Sequence, residues 1–86
     1  MSEKEKFLII KKYIDEMDYY DLLAGGAPSD EFDNESMGIC AKVRLDHSVR
    51  DIADIIALVF NAAFDANDGS VMFIPVAELI KNELLS

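Results

Sequence analysis

A chain of 86 residues, 51% hydrophobic and 29% charged, has the size of one domain with a single core and no room for two lobes around a deep cleft. That balance is too apolar for a disordered chain, while no apolar run nears the ~20 residues that span a bilayer. A net charge of −9, from 17 acids against 8 bases, repels a phosphate backbone and excludes nucleic acid as the expected partner.

The first residues, Met1-Ser2-Glu3-Lys4-Glu5-Lys6, carry mixed charge without a basic region leading into an apolar one, so no export signal is expected. Helical periodicity begins at Phe7 and continues through Ile10, Tyr13, Ile14 and Met17, with lysines and acids on the other side; this predicts a helix from about Glu3 to Met17. Asp18–Ala24 has length for one more short turn before Gly25-Gly26 and Pro28 stop it.

Ser29 or Asp30 then suits an N-cap, with Asp30, Glu31 and Asp33 in the first turn, where the partial positive charge of a helix end favours carboxylates. The second helix is expected to run to about Leu45 and to turn Phe32, Ser36, Ile39, Cys40 and Val43 inward. The strongest local signal is Ser48-x-x-Asp51, an N-cap with an acid three positions on, leading a third helix to about Phe64. Ile55, Leu58 and Ala62 give that helix a second apolar face, which predicts burial on both sides and a central place. Asp65–Ser70 is loop chemistry, Val71–Ile74 is too short to classify by period, and Pro75 opens a last helix burying Val76, Leu79, Ile80 and Leu84. Residues 1–86 are therefore expected to form one all-α domain, a compact antiparallel bundle of about four helices.

Catalytic inventory is poor, and no enzyme activity is expected. Asp46-His47-Ser48 has the residue types of a hydrolase triad, but consecutive side chains diverge and no nucleophile elbow is present. Asp65–Gly69 resembles part of a calcium loop, yet aligning Gly69 with the turn glycine puts Phe64, Ala66 and Pro75 at ligand positions. One Cys and one His cannot furnish a zinc site, so no metal or cofactor is expected. Cys40, alone among apolar residues, reads as core in a reducing, cytoplasmic setting.

What remains is the segment from Asp15 to Glu35, with eight acids and no Lys or Arg. Interleaved with Tyr19, Tyr20 and Phe32, these carboxylates combine a steering field with aromatic anchors. The expected function is a protein-binding module, of the immunity or inhibitor kind, that engages a basic protein through Asp18, Tyr19, Tyr20, Asp21, Asp30, Glu31, Asp33 and Glu35. Two other readings are an acyl-carrier-like domain with Ser36 as attachment site, and a structural protein that forms homo-oligomers through the two-faced third helix.

Ile14-Asp15-Glu16-Met17-Asp18-Tyr19, Leu22-Leu23 and Gly26-Ala27-Pro28-Ser29-Asp30-Glu31-Phe32-Asp33-Asn34-Glu35, followed by an apolar helix from Ser48, resemble the YugE-like group of small helical bacterial proteins of unknown function. The likeness runs from about Phe7 to Leu85, and its most specific piece is Gly26–Phe32 with the Asp-x-Glu that follows. The resemblance implies a compact four-helix cytoplasmic domain and transfers no catalytic residue.

Overall fold

A computed structural model describes the whole chain, Met1–Ser86, as four helices with no strand. Helix α1 spans Glu3–Met17, α2 Asp33–Lys42, α3 Val49–Phe64 and α4 Ile74–Leu85. Short 3-10 turns occupy Tyr19–Asp21 and Ser70–Phe73. No helix is long and apolar enough to cross a membrane.

Local chemistry sets the helix ends. Ser2 caps α1 by accepting from the Glu5 amide at 3.1 Å, with Glu3 and Glu5 in the first turn beside the exposed amides. At α3 the capping box is complete, because Ser48 Oγ accepts from the Asp51 amide at 3.0 Å and Asp51 Oδ2 accepts from the Ser48 amide at 3.1 Å. Pro75 sits in the first turn of α4, where its missing amide leaves no bond unmade.

Helix α2 begins three residues later than the acidic N-cap pattern predicts. Pro28 O accepts from the Glu31 amide and Asp30 O from the Asp33 amide, each at 3.0 Å, so two tight turns precede the helix. Asp30 and Glu31 therefore lie outside the first turn, which holds Asp33 and Glu35 instead. The helix also ends early, at Lys42, because Val43 is extended.

Each helix packs on its neighbours in sequence, and α4 closes the ring against α1. Cross-links fix the directions. Lys11 in the middle of α1 reaches Asp33 at the start of α2, while Glu3 at the start of α1 meets Cys40 near the end of α2. Lys12 and Tyr13 meet Glu83 near the end of α4, and Lys81 Nζ donates to His47 O just before α3. The bundle is antiparallel.

Its core holds Phe32, Phe60 and Phe73 with Ile10, Ile14, Ile39, Ile52, Ile56 and Ile80, all essentially without exposure. The inward face expected of α2 is buried throughout, from Phe32 to Val43. In α3 only one side is buried: Ile52, Ala53, Ile56, Ala57 and Phe60 face the core, whereas Leu58 on the second apolar face is 60% exposed. The expectation of a central helix fails because a four-membered ring gives α3 two flanking helices and nothing behind it. Leu79 likewise lies outside rather than in the core.

Candidate functional site

The connection from α1 to α2 carries the chain's most unusual backbone. Asp18, Tyr20 and Asp21 all have positive φ, at 49°, 55° and 56°. Left-handed backbone costs an L-residue about 1 kcal/mol, least for Asp or Asn and more for a bulky aromatic. Tyr20 is therefore the strained member.

Several bonds hold it there. The Asp18 carboxylate accepts from the amides of Leu23 at 2.7 Å and Ala24 at 2.9 Å, stapling the turn from inside. Gly26 reverses the chain at φ 104°, where a side chain would be strained. Beneath, the Tyr19 ring lies 4.7 Å from Phe60 and 5.1 Å from Phe64, and its hydroxyl donates to Asp68 at 2.5 Å. Burial first, then this bond, pushes the Tyr19 hydroxyl well above its ordinary value.

The eight carboxylates from Asp15 to Glu35 do not form one cluster. On the α2 side, Lys11 Nζ donates to Asp15 at 2.8 Å, to Asp33 at 2.6 Å and to Ser29 O at 3.1 Å. The two carboxylates hold the Lys11 ammonium above its usual value. Glu35, half-buried nearby, is pushed up by burial and then by the charges of Glu31 and Asp33. Glu16, facing α4, and the exposed Asp21 have no ion-pair partner. One lysine against eight carboxylates leaves the segment strongly negative.

The residues singled out for binding thus have different fates. Tyr19 and Phe32 are buried and cannot act as surface anchors, since adjacent apolar rings claim them first. Asp18 is consumed in the turn and Asp33 in the lysine bridge. Tyr20, Asp21 and Asp30 remain exposed, and Tyr20 most of all, at 68%.

A groove missed by sequence reasoning opens near the end of α1. Between α1 and α4 it is lined by Tyr13, Glu16, Met17, Met72, Pro75 and Leu79, with Met72 and Leu79 about half exposed. It shares an end with the Tyr20 turn, because Met17 directly precedes Asp18 and the Tyr19 ring stacks over Phe73, the residue after Met72. The only signal in the sequence was Leu79, whose helical spacing placed it on the inward face.

Other chemical candidates have structural occupations. Asp46 pairs with Arg44, His47 Nδ1 accepts from the Arg44 amide at 3.0 Å, and Ser48 caps α3. Asn61 brackets the Asp65–Gly69 loop with two 2.9 Å bonds to the Asp68 backbone. Burial raises the Cys40 thiol, keeping it protonated. Ser36 is fully buried with no partner for its hydroxyl, so an acyl-carrier reading has no accessible attachment oxygen. No protein-family model, curated protein or solved structure matches the chain.

Proposed function

We propose that the chain is a protein-binding module of the immunity or inhibitor kind, and that its α1/α4 groove, with Tyr20 in the turn that follows α1, takes a basic amphipathic helix of a partner protein. The observation that carries this reading is Tyr20, an exposed aromatic on left-handed backbone, braced by Asp18 and by the anchored Tyr19 ring. Strain held rigidly at an exposed aromatic favours contact with something outside the fold, and rigidity lowers the entropy lost on binding.

The groove supplies the rest. Methionine side chains adapt to an incoming apolar face, and a helix laid in a groove is a common mode of recognition. No Lys or Arg lines it, the nearby Lys12 being paired with Glu83, whereas Glu16 does. The Asp30, Glu31 and Glu35 carboxylates stand on the α2 side and add only to the long-range field that steers a cation in. As part of the same proposal the chain is placed with the YugE-like group, whose shared Gly26–Phe32 stretch would then serve mainly to set the turn.

A fluorescein-labelled Leu/Lys amphipathic helical peptide tests the reading by anisotropy. Binding is expected to weaken with added salt, and to fall about tenfold or more in Leu79→Glu and in Tyr20→Asn. Equal binding of a scrambled peptide of the same composition, or unchanged binding by both variants, would overturn it.

A further inference from the structure

A second groove, between α2 and α3, differs from the first in charge and shape. Its apolar part is Leu58, Val59, Ala62 and Ala63 of α3, and its α2 edge carries Glu35 and Lys42. These two charges are seven residues apart, two turns or about 10 Å along one flank of the helix. Neither forms an ion pair within the chain. Gly38 stands between them, leaving the edge low where a side chain would rise: a Cβ there would lie 3.7 Å from Val59 Cγ1. Leu58 protrudes from the same face at 60% exposure.

We infer that this groove is a self-complementary interface for a second copy of the chain. The two copies meet across a two-fold axis, with Leu58 of each entering the groove of the other and Glu35 of each facing Lys42 of the other. A two-fold axis perpendicular to α2 presents the same patch twice in reversed direction, so a patch with one acid and one base at opposite ends matches itself. A parallel arrangement would instead set Glu35 against Glu35. Charge also selects the face: a chain of net charge −9 repels its own copies, and here a lysine, Lys42, stands unpaired beside an apolar floor. Burial, and then the charges of Glu31 and Asp33, raise the Glu35 carboxyl, a condition that a lysine from the second copy relieves. The small residues Gly38, Ala62 and Ala63 let the copies approach closely. This interface shares no residue with the α1/α4 groove, so the two stand or fall separately.

Sedimentation equilibrium of the full chain at millimolar concentration should give twice the 9.6 kDa chain mass. Glu35→Lys and Lys42→Glu are each expected to weaken the dimer about tenfold or more, since each turns attractive contacts into repulsive ones. An equimolar mixture of the two variants should restore it, because all four charges then pair; restoration also shows that both variants fold. Leu58→Arg should leave a monomer. A wild-type monomer at millimolar concentration, a dimer indifferent to the charge variants, or a mixture that fails to reassociate would each overturn the inference, the second by placing the contact on another face.

Discussion

At Tyr20 the backbone sits at φ 55°, ψ 24°, a region that costs a tyrosine about 1 kcal/mol and an asparagine much less. Against that, the Tyr20 ring meets the Tyr19 ring edge-on at 4.4 Å, a contact worth about 0.5 to 1.5 kcal/mol. Tyr20→Asn is therefore expected to leave stability within about 0.5 kcal/mol of wild type, measured by urea unfolding. A loss above about 2 kcal/mol would show that the ring holds the fold rather than faces a partner. Tyr19 and Tyr20 are identical and adjacent in the sequence, yet one is buried and the other is the most exposed aromatic; the left-handed turn between them decides which. Ser36 was legible in position, on the inward face of α2, but the lack of a partner for its hydroxyl follows from tertiary neighbours alone.

Among the elements, α3 rests most clearly on local chemistry. Its capping box holds the Asp51 carboxyl below its ordinary value, chiefly through the Ser48 amide and then the Ser48 hydroxyl. A lowered folded value means that this contribution is complete above the ordinary value of 3.8 and is lost as the pH falls through the lower folded one. Ser48→Ala should destabilise the chain by about 1 kcal/mol at neutral pH, read by thermal unfolding. The same variant should also lose less stability than wild type on acidification. An unchanged melting temperature would mean that the tie of His47 O to Lys81 holds the helix start without the cap. Such a box is readable because its partners are three residues apart. The start of α2 was misplaced because Pro28 O and Asp30 O bind amides that a longer helix would have used.

Over the whole molecule, the Tyr19 ring joins the α1–α2 connection to α3 and to the 3-10 turn before α4, through Phe60, Phe64 and Phe73. Its hydroxyl is raised above 10.0, so its contribution is complete below that value and is lost as the pH rises through the folded one. Tyr13, raised by its bond to Glu83, and Cys40, raised by burial, act with the same sign. Stability is expected to fall as the pH rises above about 9, where Cys40 ionises in the unfolded chain, and more steeply above about 10, where the tyrosines do. Tyr19→Phe should cost about 1 kcal/mol at neutral pH for the lost hydrogen bond, and should reduce that alkaline fall. An identical fall in the variant would assign alkaline unfolding to the other groups.

Helix number, the inward stripes of α1 and α2 and the caps of α1 and α3 were all determined by the sequence, since they depend on periods and bonds spanning three or four residues. Tertiary structure alone decided how the charges are used. Lys11, already paired with Asp15, reaches Asp33 across a separation of 22 residues, which no local pattern records. It also decided where apolar surface stays open. Four helices closing in a ring leave each outer flank uncovered, so Leu58 and Leu79 mark grooves at the α2/α3 and α1/α4 seams although their spacing in the chain reads as core.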